Sequence, residues 1–461
     1  RSGCGREYAM VKSAAEEKPT NLLRALTEAL ESGTVPRVRA MLNALHPAEI
    51  AHLLESLPPA ERKLLWELVD PADDGEVLLQ VGEDLRNALI REMEPEELIA
   101  ATEGMAMDDL ADFLQDLPAT LIGEVLRSMD KQDRQRLESV MSYAEDTAGG
   151  LMNTDAITVR ADVTLDVVMR YLRLRGELPE LTDALIVVNR YDRYLGILPL
   201  STLITGDPNL TVAEVIDRQL EPIPADMSSN QVAKLFEDRD LVSAPVVDAE
   251  GKLLGRITID DVVDVIRDEG ERSLMSMAGL DEEADMFAPV LTSVKRRIIW
   301  LGVNLCTAFL ASTVISVFES TIQQVVALAV LMPIVASMGG IAGSQTLTLV
   351  IRGLALGQVG SSNARSLLGR EVAVALLNGA VAALVVATVA GLWFQSVQIG
   401  AVIAAAMVVN FLTAALSGVT VPILLRRIGI DPALAGGMMV TTFTDVIGFL
   451  AFLGLASAFL L

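Results

Sequence analysis

Cysteine and histidine are almost absent, with two of each in 461 residues. Cys4 and Cys306 lie in regions too different in texture to pair, so nothing points to an oxidising compartment. His46 and His52 fall on a polar helical stretch without metal-ligand spacing to either cysteine, and both read as solvated surface residues. No nucleophile–base pair, phosphate-cradling loop or catalytic metal motif is present, which leaves an enzyme as the least supported class. Basic residues are scarce as well: the first 294 residues carry 57 acids against 28 bases. Such a surface repels phosphate, which argues against nucleic acid as a partner and favours cations. Residues 1–21 have no apolar core and are expected to form a tail, not a signal peptide.

What is present is segregated. The chain is 51% apolar yet has a net charge of −25, a mixture no single soluble domain would show. From Lys295 onward there are four acids and eight bases, so an acidic half of net −29 precedes an apolar half of net +4.

Within the acidic half, residues 22–141 repeat a short unit, as in HPAEIAHLLESL and PPAERKLLWELV, with prolines at 47, 58, 71, 95 and 118. Proline followed by acids suits a helix N-terminus, so the stretch predicts an all-α superhelical domain of short helices that are stable only when stacked. Asp108 and Asp112 share one face there, and on spacing alone they read as a solvated acidic face. SYAEDTAGGLM (142–152) breaks the pattern, and residues 142–265 then contain two copies of one unit. ALIVVNRYDRYLGILPLSTLI aligns with SAPVVDAEGKLLGRITIDDVV, each reaching a glycine (Gly196, Gly255) in its second strand. Strand–helix–strand–strand–helix units of this size resemble tandem α/β CBS domains. In the second copy, Thr258 and Asp261 match the CBS pattern that holds a nucleotide's ribose, which allows ATP at that one place. A helix start capped by Asp260 or Asp261 accounts for the same residues. Residues 266–294 form an acidic connector expected to be partly helical.

The remainder, 295–461, predicts an α-helical transmembrane domain of five spans: 298–318, 322–350, 372–394, 399–425 and 434–461. The second is overlong and is expected to be interrupted at Pro333 and Gly339-Gly340. All eight bases lie before the first span, between the second and third, or between the fourth and fifth. The positive-inside rule then places the amino-terminal half in the cytoplasm and the carboxyl terminus outside, in a multi-pass plasma-membrane protein. The last span carries Asp445. An aspartate at mid-membrane costs roughly 2.5–3.5 kcal/mol on insertion scales, so it is expected to face a polar cavity, a partner or an ion path. Thr441, Asp445 and Gly448 fall at i, i+4 and i+7, giving one face a hydroxyl, a carboxylate and room for a close neighbour.

The order of these parts, with MPIVASMGGIAGSQTLTLVIRGLALG (332–357) and DPALAGGMMVTTFTDVIG (431–448), resembles the MgtE family of magnesium channels across essentially the whole chain. The resemblance implies a homodimer in lipid with a pore between subunits, in which Asp445 draws hydrated Mg2+ inward and Asp431 stands near the cytoplasmic end. It implies further pore-lining positions at Thr441, Gly448, Gly339 and Gly340. Acids of the helical domain, second CBS unit and connector would bind Mg2+ and hold the channel shut, which points to Asp108, Asp112, Asp240, Asp261, Asp264 and Glu271. The family usually has GGNAGSQ in the second span where this chain has Ile341, and isoleucine cannot offer the asparagine's hydrogen bonds. Two other readings compete: an ion-coupled transporter of other divalent cations such as Co2+ or Mn2+, and a membrane-anchored CBS nucleotide sensor that conducts nothing.

Overall fold

The computed structural model describes residues 35–102, 105–115, 117, 119–280, 285–360 and 362–461. The expected tail, Cys4, residues 22–34, Pro118 and residues 281–284 of the connector lie outside the described residues. The chain divides into two compact units, Arg1–Gly270 with Glu283–Ala288, and Glu271–Glu282 with Pro289–Leu461.

The first unit begins, among the described residues, with nine helices of 7–10 residues between Val35 and Val140. Pro47, Pro59 and Pro95 each open a helix, where their missing N–H is no loss. Helices this short are marginal alone. They are held by a shared core in which Leu42, Ile50, Leu54, Leu65, Leu78, Phe113 and Leu137 are fully buried. Both histidines are at the surface, and His46 caps Pro47–Glu55 by accepting from the Ala48 N–H.

Two three-stranded sheets follow, with the topology expected of the repeat. Strands β1 (Thr158–Arg160) and β4 (Ile223–Pro224) run parallel to β2 (Ala184–Val188) and β5 (Ser243–Val247), which pair antiparallel with β3 (Tyr194–Pro199) and β6 (Leu253–Thr258). The registers coincide, with Gly196 opposite Val187 and Gly255 opposite Val246, each next to an irregularity in the ladder. The repeats are joined by Arg256, whose buried guanidinium pairs with Asp155 (3.0 and 3.2 Å) and donates to the Glu180 carbonyl (2.8 Å). The 19-residue helix Ile259–Met277 leaves the second repeat without a break, so the connector continues a CBS helix.

In the second unit, five helices among the described residues are long and apolar enough to cross a membrane: Val290–Val317, Ala327–Ala355, Ala364–Trp393, Val397–Arg427 and Pro432–Phe459. The fourth packs against the second, third and fifth and is the most buried, whereas the first packs on the fifth and leaves Ile298, Leu301 and Phe309 exposed. Large apolar side chains exposed on a spanning helix are where lipid is the solvent.

The expectation of a broken second span is corrected. The interruption falls earlier, at Val325-Val326, between the short helix Glu319–Gln324 and Ala327–Ala355. From there the helix runs unbroken through Pro333 and Gly339-Gly340. Pro333 lies in the second turn, where its ring affects the single carbonyl four residues back. The Gly339 position serves packing: a Cβ there would lie 2.2 Å from Nδ2 of Asn410 on the fourth span.

Candidate functional site

A cleft of ≈ 820 Å3 between the second and fifth spans carries polar side chains on both walls. Its second-span wall presents Ser337, Gly340, Ile341, Ser344, Gln345 and Thr348, and its fifth-span wall Thr441 and Asp445. Positions 337, 340/341, 344/345 and 348 recur at helical spacing, so one stripe of an otherwise apolar helix carries hydroxyls and an amide into the cleft. Asp445 is half-buried, and among the described residues no side chain pairs with it. A single anion therefore faces a wall in which hydroxyls and an amide are set among apolar groups. Mg2+ takes oxygen ligands in a near-octahedral shell and gives up its waters reluctantly, so one carboxylate with surrounding hydroxyl and amide groups suits a cation that keeps most of its hydration.

Four positions expected to line the path divide. Thr441 and Gly340 are in the cleft wall with Asp445. Gly339 and Gly448 are not: both are buried against Asn410, where a Cβ would lie 2.2 and 2.8 Å from its Nδ2. Their value is the absent side chain, which lets helices approach closely. Asp431 caps the fifth span, accepting from the Ala433 N–H at 2.8 Å. It stands 14 residues before Asp445, about 21 Å along a helix, and does not share the cleft. Ser337, Ser344, Gln345 and Thr348 were not anticipated, although their periodicity was open to reading.

The acidic unit concentrates its carboxylates elsewhere. Asp108 and Asp109, at the start of Met107–Gln115, face Asp260, Asp261 and Asp264 at the start of Ile259–Met277. Asp108 is buried and accepts from the Asn153 side chain at 3.1 Å. Burial, reinforced by the charges of Asp261 and Asp109, pushes its carboxyl up to about 8. Burial and Asp260 push Asp261 up to about 7, against the lowering effect of hydrogen bonds from Thr258. Asp109 rises to about 6 through burial and the charges of Asp260 and Asp264. Asp264 is raised chiefly by burial, although Arg267 at 3.1 Å opposes the shift.

Of the expected sensor acids, Asp108, Asp261 and Asp264 are thus brought together, joined by Asp109 and Asp260. Asp112 is exposed one turn along from Asp108. Asp240 is an exposed left-handed C-cap of Ser229–Arg239, with φ 52°. Glu271 lies exposed on the far half of Ile259–Met277. Thr258 and Asp261, matched to a ribose-binding pair, are engaged in the helix cap: the Thr258 hydroxyl bonds Asp260 and Asp261, and Asp261 accepts from the Thr258 N–H. Among the described residues no three His, Cys, Asp or Glu side chains converge closely enough to hold a metal directly.

One connection escaped the sequence. Arg62, buried in the helical domain, donates from Nε to the Leu54 carbonyl and from both terminal nitrogens to Asp285, at 2.8 and 3.1 Å. Although burial opposes it, Arg62 and the Phe287 N–H hold the Asp285 carboxyl below its ordinary value.

A five-span membrane protein with a carboxylate in an intramembrane cleft, attached to an acidic unit of short helices and two α/β repeats, belongs to the class of cation transporters. Family models place it further: residues 332–455 match the MgtE divalent cation transporter, 45–146 the MgtE intracellular N domain, and 148–207 and 212–268 the CBS domain. The chain is 32% identical over 452 residues to the magnesium transporter MgtE of Thermus thermophilus, covering 96% of this chain and 98% of that protein. It is 27% identical over 431 residues to the magnesium transporter MgtE of Bacillus subtilis, covering 94% and 96%. A solved cytosolic domain of the Mg2+ channel MgtE in complex with ATP is 33% identical, covering 53% of this chain and 99% of that one with a TM-score of 0.48. The chain belongs to the MgtE family of divalent cation transporters.

Proposed function

We propose that the protein is a Mg2+-selective channel or transporter that admits Mg2+ to the cytoplasm and closes when Mg2+ occupies its acidic unit. The observation that carries the first part is Asp445 in the polar cleft between the second and fifth spans. The protein acts as a homodimer in the plasma membrane, with two copies of the Asp445 wall facing one path. Two like charges on one axis repel unless a cation lies between them, which favours a divalent ion over a monovalent one. Basic loops before the first span and between alternate spans support a cytoplasmic acidic unit.

Gating rests on the paired acids Asp108/Asp109 and Asp260/Asp261/Asp264. Carboxylates this crowded hold protons that a hydrated Mg2+ would displace while bridging the helical domain and the second CBS repeat. Moving a two-state equilibrium from 1:99 to 99:1 needs about 5.5 kcal/mol of differential binding, so several ions act together and closure is steep in Mg2+.

The test is flux into proteoliposomes across a panel of divalent cations, wild type against Asp445→Ala. Mg2+ entry that depends on Asp445 and falls at millimolar Mg2+ on the acidic side is the expected result. Equal flux in the two proteins rejects the path, and preferential Co2+ or Mn2+ entry replaces the substrate.

A further inference from the structure

Asn410 sits at the centre of the fourth span with its side chain fully buried. Its Nδ2 donates to the Val335 carbonyl of the second span at 2.8 Å. Its Oδ1 is buried without a hydrogen-bond partner among the described residues. An apolar residue of similar size would avoid that unsatisfied oxygen, so packing alone does not account for an amide here.

The amide is wedged between two helices. A Cβ built at Gly339 on the second span would lie 2.2 Å from Nδ2 and 2.8 Å from Oδ1, and one at Gly448 on the fifth span 2.8 and 3.1 Å. Both backbones come close against the amide, an approach glycine alone permits. These glycines adjoin the cleft without lining it: Gly339 precedes Gly340 and Ile341, and Gly448 lies three residues beyond Asp445.

We propose that Asn410 is a positioning residue of the cation path, a rigid spacer whose amide sets the separation of the second and fifth spans and so the width of the cleft at Asp445. The hydrogen bond to Val335 fixes the rotation of the amide, and its bulk fixes how near Gly339 and Gly448 can come. A cleft matched to a hydrated ion discriminates by width, so a change of spacer alters the relative rates of cations that differ in size and hydration more than it alters anchoring. The inference rests on the transport reading above.

The experiment is a double-mutant cycle in proteoliposomes, reading the ratio of Mg2+ to Ca2+ flux per inserted protein with thermal stability in detergent alongside. Gly448→Ala forces a methyl against the amide, and Asn410→Ala removes the amide. Each alone is expected to lower the ratio by about fivefold, within the range of couplings between touching residues. The double variant, in which the new methyl occupies the vacated space, is expected to recover most of the ratio, whether or not stability recovers with it. Single variants that keep the wild-type ratio overturn the inference, as does a double variant no closer to wild type than Gly448→Ala. If Asn410→Ala fails to assemble, the comparison of Gly448→Ala with the double variant decides alone. Wild-type vesicles that carry no Mg2+ overturn the transport reading and this inference together, whereas Asp445-dependent flux with unmoved ratios overturns the spacer alone.

Discussion

The two units treat carboxylates in opposite ways. In the acidic unit Asp108, Asp109, Asp260, Asp261 and Asp264 crowd until burial and mutual repulsion raise their proton affinity. In the membrane unit the cleft between the second and fifth spans holds one carboxylate, Asp445, with the hydroxyls and amide of Ser337, Ser344, Gln345, Thr348 and Thr441, while Glu371 is buried apart from it on the third span. On the proposed function, crowded anions suit a site that senses a cation, because a bound cation, like a bound proton, relieves their repulsion. A single anion among neutral oxygens attracts a cation and lets it go. On the proposed function, the same ion would serve as signal at the first site and as cargo at the second.

The strongest break in that comparison is Asp445→Ala, which should bring Mg2+ flux to background while the protein still inserts and keeps the wild-type oligomeric state. The matching change on the other side, Asp108→Asn with Asp261→Asn, should leave flux intact and abolish its steep shut-off by Mg2+. If both variants lose flux, the division of labour fails.

The acid cluster also fixes a pH dependence. A carboxyl whose folded value exceeds its ordinary value of 3.8 binds its proton more tightly in the folded state. Its contribution to stability is complete at low pH and is lost as pH rises towards about 8 for Asp108 and about 7 for Asp261. In chelator, raising pH from about 6 to about 8.5 should therefore loosen the contact between helical domain and second CBS repeat. Protease cleavage within residues 142–152 should increase, and millimolar Mg2+ should suppress it. Cleavage indifferent to both pH and Mg2+ would show that these acids do not govern the interface. The Asp108→Asn/Asp261→Asn variant should lose most of the pH response.

A smaller effect is expected at the buried pair of Arg62 and Asp285. Removing Arg62 leaves the part-buried Asp285 charge without its partner, so Arg62→Ala should destabilise the acidic unit by about 2 kcal/mol, less than for a fully buried pair. Arg62→Met/Asp285→Leu should recover much of that loss, because a buried pair exchanged for apolar groups is often neutral. Thermal melts of the full chain in detergent would compare the two, and equal melts in all variants would mean that the pair contributes nothing.

Much of this was legible before the fold was seen. Five apolar runs each long enough to cross a bilayer, two strand pairs meeting at Gly196 and Gly255, and an aspartate deep in the last run are local patterns that need no tertiary knowledge. What stayed hidden depends on meeting across distance. Arg62 and Asp285 are 223 positions apart, and nothing near either residue marks the pair. Asp109 and Asp260 look like ordinary first-turn acids until two helix starts are placed face to face. Gly339 and Gly448 read as interruption or lining because the residue that needs their missing side chains, Asn410, is on a third helix. The stripe of Ser337, Ser344, Gln345 and Thr348 has the correct period, but Pro333 and Gly339-Gly340 in the same helix mimic a helix break and mask the face it forms.

The finest adjustment to the comparison is Ile341→Asn. Ile341 is 53% exposed and lines the cleft opposite the Asp445 wall, so the site has room for an amide and needs no repacking to accept one. Isoleucine offers an approaching hydrated ion nothing, whereas asparagine adds a carbonyl oxygen and two donors that can hold ion-bound water. The wall opposite Asp445 then has one more polar group without any change in charge. The change in flux should accordingly be small, on the order of a few-fold, the scale of a single hydrogen bond of about 1 kcal/mol. Its direction should favour cations that keep their water, so the ratio of Mg2+ to Ca2+ flux should rise while stability and shut-off by Mg2+ stay as in wild type. An unchanged ratio in a protein that folds and conducts would mean that ions pass Asp445 without touching the second-span wall at position 341.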